Sequence, residues 1–224
     1  MGIGLHTASR AQHGQKGFSL VEMMCVIAIM SLLASAAWPS IVGMVSGNRL
    51  TNNAYELRGL IQQARTTALT EHTYVWVGFS SITQSGAPSL MVASYVGKSG
   101  MSSDLINNNT QLAAKPMVLK NVQLATAANY QTLPGLDVTD NTDAGTQSYT
   151  FQNSVEGQAN LTFTEVIAFG PDGQASLPQT SGGSLQLEEC LGIGLNAAPA
   201  SAAKPHTVAV QVHGLSGQVA VFQQ

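Results

Sequence analysis

The sequence predicts an α+β protein. In this prediction a long N-terminal helix, with a membrane half and an amphipathic half, packs on an antiparallel β-sandwich-like C-terminal domain. Three observations support it. An apolar run extends from Phe18 to Val45. Small and apolar residues then recur at helical spacing from Ala54 to Ala68. After His72, short alternating runs separated by turn residues replace the helical period.

Residues 1–17 form a polar leader whose only charged side chains are Arg10 and Lys16. The apolar run that follows, residues 18–45, exceeds the ~20 residues that a helix needs to cross a bilayer. Two bases before the run are expected to keep that end in the cytoplasm and to direct the rest outward. A secretory signal peptide cut near Ala34-Ser35-Ala36 is the alternative. However, a carboxylate such as Glu22, near the start of the apolar run, is atypical of signal peptides.

Residues 46–72 have the pattern of an amphipathic helix. The predicted buried positions are spaced three or four residues apart, as on a single helical face: Ala54, Leu57, Ile61, Ala64 and Ala68. The helix is expected to run from the membrane segment to about Glu71. It is expected to bend near Pro39, because proline removes one helical hydrogen bond and clashes with the preceding turn.

Residues 73–224 are predicted to form a β-rich domain, because short apolar or alternating runs are separated by Gly-, Pro- and Ser-containing turns. The predicted strands are Tyr74–Phe79, Leu90–Val96, Met117–Leu124, Ser148–Phe151, Leu161–Phe169, Ser184–Leu187, Thr207–Val212 and Gln218–Phe222. The predicted loops are Gly97–Lys115, Thr126–Gln147 and Gly192–Pro205.

Composition restricts the function classes. Charged residues are 9% of the 224-residue chain, against ~25% in a typical domain, which favours an extracytoplasmic surface. From residue 121 onward Lys204 is the only base among eight acids, and this charge disfavours nucleic acid as a partner. Cys25 lies in the apolar run and Cys190 near the other end of the chain, so no intramolecular disulfide is expected.

The junction between leader and apolar run reads Lys16-Gly17-Phe18-Ser19-Leu20-Val21-Glu22. It resembles the cleavage site of type IV prepilins and of type II secretion pseudopilins. The resemblance implies that a prepilin peptidase cuts after Gly17 and methylates the new amine of Phe18. It also implies that Glu22 pairs with that amine on an adjacent subunit during assembly. An acid within a bilayer is costly, which independently suggests a function for Glu22; the alternative is that Glu22 lies in the headgroup layer.

A weaker resemblance extends into the rest of the chain. The helix Ala54-Tyr55-Glu56-Leu57 through Ala64-Arg65-Thr66-Thr67-Ala68, the turn Phe169–Gly173 and the hairpin at Gly214–Gly217 are similar to the GspH/FimT-like minor pseudopilins. Arg65 itself is interpreted as a solvated charge or one paired at i,i+4.

The resemblance implies a non-enzymatic minor pseudopilin of a type II secretion system. The chain would be single-pass in the bacterial inner membrane, with residues 73–224 in the periplasm. Its partners would be the prepilin peptidase, other minor and major pseudopilins, the inner-membrane assembly platform and membrane lipid. A minor pilin of a type IV pilus, serving adhesion, motility or DNA uptake, is the first alternative. A membrane-tethered binding protein that does not polymerise is the second.

No cofactor and no metal site are expected. Asp137, Asp140 and Asp143 are compatible with a calcium-binding loop. However, EF-hand spacing is absent, so a solvated loop is favoured. His206 and His213 flank one predicted strand and are expected to face opposite sides of it. Nucleophile elbows, phosphate loops and complete dinucleotide fingerprints are absent from the sequence, which argues against an enzyme.

Overall fold

A computed structural model describes residues 19–136, 141–143, 148–151, 161–179, 183–198 and 206–223; within these ranges the side chains of residues 36–47, 141–143 and 161 are left undescribed. The chain divides into two compact units, Met1–Met44 and Val45–Gln224. The protein is α+β, with an N-terminal helix and a C-terminal unit rich in antiparallel sheet.

The first helix, α1, extends from Leu20 to Glu71. Its end at Glu71 agrees with the apolar spacing. His72 follows with a positive φ of 49°, and the amide of Thr73 donates to the carbonyl of Ala68 across the last turn. The helical assignment continues through residue 39, and the bend near Pro39 stays a prediction. Over the described residues, no helix contains a stretch long and apolar enough to count as a membrane span.

The C-terminal half of α1 buries one face in the core of the second unit. The residues of this face are at most 3% exposed: Leu50, Ala54, Leu57, Ile61, Ala64 and Ala68. They belong to a single apolar cluster that also contains residues of both major sheets. The core therefore has three contributors, α1 and the two major sheets.

Within the described residues, the larger sheet has seven strands: β1 (Val75–Gln84), β2 (Ala87–Gly97), β3 (Thr110–Leu112), β4 (Met117–Lys120), β9 (Glu165–Phe169), β10 (Ala175–Pro178) and β11 (Leu185–Leu187). Their order is β11-β10-β9-β1-β2-β3, with β4 also pairing with β2. β1 and β2 form the central hairpin, with Val75 opposite Val96 and Gln84 opposite Ala87.

The second sheet has five strands in the part of the chain that the structure describes: β5 (Val122–Ala125), β6 (Asn141–Asp143), β12 (Cys190–Ala197), β13 (Thr207–His213) and β14 (Val219–Gln223). Their order is β14-β13-β12-β5, with β6 also pairing with β12. The β6–β12 pair is parallel, which departs from the predicted all-antiparallel arrangement. A short helix, α2 (Ala127–Tyr130), contacts β12 and β13.

The larger sheet is buried on both faces. The face opposite the main core carries Trp76 and Tyr95, and it packs against a separate hairpin made of β7 (Tyr149–Phe151) and β8 (Leu161–Phe163). The rings of Tyr95 and Phe151 stack at 3.9 Å between centroids, and Phe163 meets both edge-on. Burial raises the pKa of Tyr149 to about 12, and its hydroxyl donates to the Pro178 carbonyl at 2.5 Å.

Three predicted loops contain secondary structure. β3 lies in predicted loop Gly97–Lys115, α2 and β6 lie in Thr126–Gln147, and most of β12 lies in Gly192–Pro205. β12 was missed because Gly192 and Gly194 interrupt its alternation. The ring of Tyr130 explains the second glycine, since a Cβ at Gly194 would lie 2.2 Å from Cδ1 of that ring. The predicted strand Met117–Leu124 is divided at Asn121, which has φ 58°, into β4 and β5.

The connection between β2 and β3 is organised by a buried carboxylate. Asp104 is 2% exposed and accepts hydrogen bonds from the Ser99 amide at 2.8 Å, the Ser99 hydroxyl at 2.5 Å and the Asn109 side-chain amide at 2.9 Å. Burial alone would raise the pKa of Asp104, but the bonds from Ser99, Asn109 and the Met101 backbone outweigh it and hold the pKa below its ordinary value. This carboxylate therefore closes the connection as a structural element.

Arg65 joins the helix to two turns. It is half-buried, and its Nε donates to the Gly173 carbonyl at 3.2 Å. Gly217, in the turn between β13 and β14, lies against the same atoms: a Cβ there would be 2.3 Å from the Gly173 oxygen and 2.6 Å from Arg65 Nε. The interpretation of Arg65 as a solvated or i,i+4-paired charge is wrong. Its partner is 108 residues away in sequence, which helical spacing does not reveal.

Two glycine substitutions are expected to change stability in opposite directions. Gly59 is exposed on α1, and a Cβ added there would have no neighbouring atom within 4 Å, so Gly59→Ala should stabilise the fold by about 1 kcal/mol through helix propensity. Gly217 has φ +61° and no space for a Cβ, so Gly217→Ala should destabilise it by about 2 kcal/mol or more. Thermal unfolding of the detergent-solubilised chain, followed by circular dichroism, measures both. Equal shifts of the midpoint for the two variants would contradict the packing described.

Candidate processing and assembly site

The described part of the chain begins at Ser19. The predicted cleavage residues Gly17 and Phe18 therefore lie outside the described residues. Glu22, the third of the predicted site residues, is in the first turn of α1 and is exposed. A carboxylate in the first turn of a helix is favoured by the helix dipole, which is positive at that end.

Ser19 caps the helix. Its hydroxyl oxygen accepts a hydrogen bond from the Glu22 amide at 3.1 Å, and its carbonyl accepts one from the Met23 amide at 3.2 Å. This is the N-cap geometry in which a side-chain oxygen satisfies an amide that has no helical partner. No role was assigned to Ser19 from the sequence. The Ser-x-x-Glu order before an apolar run would have identified the cap.

The side chains around Glu22 are apolar and exposed on every side of the helix. Leu20 is 77% exposed, Val21 67%, Met24 62% and Ile27 65%. A helix that is apolar on all sides is stable when it is buried, either in a membrane or among other helices. Glu22 is the acidic residue of the first turn. A carboxylate in such surroundings requires a compensating positive charge.

The hydroxyls further along this segment form hydrogen bonds within the helix. Ser31 donates to the Ala28 carbonyl and Ser35 to the Leu32 carbonyl, each at 2.8 Å. A hydroxyl that donates to its own helix needs no water or external acceptor, so both serines are compatible with apolar surroundings.

The comparison with protein families matches this segment. Residues 12–38 match the family described as the prokaryotic N-terminal methylation motif. The match supports a type IV pilin-like or pseudopilin protein. Searches of curated proteins and of solved structures give no match.

The matched motif bears on two predicted properties. Prepilin-type proteins are structural subunits, which supports a structural role for this chain. The motif also implies membrane anchoring through the N-terminal segment. The matched range includes Gly17, Phe18 and Glu22 together with the capping residue Ser19.

The structure also brings together two side chains that sequence reasoning kept apart. Cys190 and His213 are directly opposite each other on β12 and β13, with Sγ 3.4 Å from Nδ1. Cys190 is 1% exposed, and neither Cys190 nor Cys25 is in a disulfide bond. Spacing along one strand cannot show a cross-strand pair. Within the described residues, no group of three or more His, Cys, Asp or Glu side chains is placed to hold a metal ion.

The possible calcium loop is only partly described. Asp137 and Asp140 lie outside the described residues, and Asp143 is described through its backbone as the last residue of β6. Calcium binding by this loop stays a hypothesis.

Loss of the Ser19 cap is expected to loosen the start of α1. Ser19→Ala removes the acceptor of the Glu22 amide and should destabilise the first turn of α1 by about 1 kcal/mol. Hydrogen exchange of the Glu22 amide should then be about five-fold faster. Ser19→Thr keeps the hydroxyl and should exchange like the unaltered chain. Hydrogen exchange of the chain in detergent micelles measures the effect. Ser31→Ala, in the same helix but away from its end, is the control, and an equal effect there would contradict capping by Ser19.

Proposed function

We propose that this chain is a minor pseudopilin of a type II secretion pseudopilus, processed by prepilin peptidase and assembled through its N-terminal helix. The observation that carries the proposal is the methylation motif at residues 12–38. The capped helix start, the exposed carboxylate of Glu22 and the exposed apolar side chains around it support the same role.

Processing is assigned to the Gly17–Phe18 bond. Glycine suits the scissile position because it lets an extended backbone enter a narrow site without a side-chain clash. The leader carries bases and no acid, which keeps it on the cytoplasmic side. After cleavage, the amine of Phe18 becomes the first positive charge of the mature chain.

Assembly is assigned to the pairing of that amine with Glu22 of an adjacent subunit. In a helix Glu22 is about 6 Å along the axis from Phe18 at 1.5 Å per residue. Both charges enter a low-dielectric layer in which neither is tolerated alone, and an opposite charge on a neighbour offsets part of the cost. The pairing fixes the axial position of one subunit relative to the next.

The proposed membrane topology follows from this assignment. Residues 18–45 cross the inner membrane once, residues 46–72 continue the helix, and residues 73–224 form the periplasmic domain. The partners are prepilin peptidase, other minor and major pseudopilins, the inner-membrane assembly platform and lipid. The chain has no catalytic role in this proposal and uses no cofactor.

A minor pilin of a type IV pilus is the second candidate, because the methylation motif is common to both classes. Residues 121–224 contain eight acids and one base, Lys204, and this charge disfavours a DNA-uptake role. Deletion of the gene separates the two candidates. The secretion role predicts loss of secreted enzymes from the medium with surface piliation intact, and the pilus role predicts the reverse.

The first test concerns processing. The chain extracted from membranes of its native host should have the mass of residues 18–224 plus one methyl group. Gly17→Leu should abolish the cut, because a branched side chain obstructs the scissile position. An N-terminus near Ala37, or an uncut chain, would overturn the assignment, since either result means that a different peptidase or none acts here.

The second test concerns Glu22. Glu22→Leu should be cut and inserted but should co-purify with partner pseudopilins about ten-fold less, because the neighbouring amine is left unpaired in an apolar layer. Glu22→Asp keeps the charge on a shorter side chain and should be intermediate. Met24→Leu, an apolar exchange two residues away, is the matched control. Co-purification of Glu22→Leu at the level of the control would show that the pairing does not operate in this subunit.

A further inference from the structure

The last strand of the chain runs beside one flank of α1. At one end, the Thr51 hydroxyl donates to Oε1 of Gln223 at 3.0 Å. At the other end, Arg65 lies against Gly217, just before β14 begins. Fourteen helical residues rise about 21 Å, and six strand residues span about 20 Å. The helix and β14 therefore run antiparallel, with one contact near each end of the strand.

The flank of α1 beside β14 differs in charge from the opposite flank. At about 100° per residue, Thr51, Arg58 and Arg65 form a row seven residues apart, and Tyr55 and Gln62 lie just outside it. The acids Glu56 and Glu71 fall on the opposite flank, together with Gln63 and Thr67, which line a depression against β2 and β3. The flank beside β14 is therefore positive and contains no carboxylate.

Arg58 lies in the middle of this flank and is incompletely bonded. Its side chain is half-buried, and Nε is buried without a hydrogen-bond acceptor among the described residues. A buried donor without an acceptor is costly, and the cost is larger for a charged group. Arg65, one row position away, differs because its Nε donates to the Gly173 carbonyl. Tyr55, one turn before Arg58, is 51% exposed.

β14 is the strand at one edge of its sheet. In the described part of the chain it pairs with β13 alone. Natural edge strands often carry a charged residue or a proline, which prevents pairing with other chains. The five residues of β14, Val219–Gln223, include neither. The edge strands of the larger sheet differ. β3 and β11 have three residues each, and β4 ends in exposed Lys120.

We propose that the β14 edge and the Arg58 flank form a docking site for an extended, acidic segment of another subunit of the filament. The segment adds a strand to the sheet beside β14, so its backbone bonds to the open edge. Because α1 contacts the β14 region near both ends of the strand, the added strand lies beside the same flank, and side chains on one of its faces meet Tyr55, Arg58 and Gln62. A carboxylate at the central position of the segment pairs with the guanidinium of Arg58, whose side chain is half-buried. The inference rests on the proposed function, since it requires neighbouring subunits.

The chain provides a matched pair of positions for the test. Gln62 and Gln63 are adjacent and both exposed, but Gln62 is on the β14 flank and Gln63 on the opposite one. A photo-crosslinking benzoylphenylalanine is placed at position 62 or 63 of the full chain in its native host, and the products are identified by mass spectrometry. We expect position 62, and not 63, to capture an Asp- or Glu-containing segment of another subunit.

Arg58 variants test the chemistry. Arg58→Glu should reduce the product at position 62 about ten-fold or more, and Arg58→Lys should retain most of it. Arg58→Gln, which is neutral and places no new charge in the half-buried site, serves if Arg58→Glu unfolds, and should also reduce the product. Equal products at positions 62 and 63 would overturn the site. So would a product within the same molecule, or a yield indifferent to Arg58.

The same samples separate this inference from the proposed function. Cleavage after Gly17 and dependence of co-purification on Glu22 are read from them in parallel. If both hold and position 62 captures no partner, the docking site alone is wrong. If the chain is neither cut nor assembled, the proposed function is wrong.

Discussion

The apolar core shared by α1 and the two sheets is the interaction on which the second unit depends. Ala54, Ala64 and Ala68 take little space on the buried face of the helix, and Leu57 and Ile61 supply larger core side chains. Because both sheets contribute to this core, the helix covers apolar residues of each sheet. Substitution of one of these alanines by a larger residue would displace the helix from both sheets at once, since a packed core has no spare volume.

Local patterns allowed much of this arrangement to be predicted. The helix end at Glu71 and the burial of Ala54, Leu57 and Ile61 follow from apolar spacing. The predicted strands Tyr74–Phe79 and Leu90–Val96 overlap β1 and β2, although both observed strands are longer. The N-terminal motif was identified from the junction residues alone, and the family comparison matches the same segment.

What the sequence did not reveal depends on contacts between distant residues. β12 contains Gly192 and Gly194, which weaken a strand pattern, and only the position of Tyr130 over the sheet explains the second of them. The tether from Arg65 to Gly173 and the pair of Cys190 with His213 both join segments that are far apart in sequence. β6 was missed because Asn, Thr and Asp are typical turn residues, yet its parallel pairing with β12 supplies the backbone bonds that make it a strand.

The alignment of α1 with β14 has a mechanical consequence. Thr51 bonds to Gln223 at one end of the contact, and Arg65 bonds to the Gly173 turn at the other. A force applied along the helix axis therefore loads the contacts in shear, so that they share the load and must break together. A force applied across the axis would instead peel them apart one by one. This geometry suits a subunit that is pushed or pulled along the direction of its own helix.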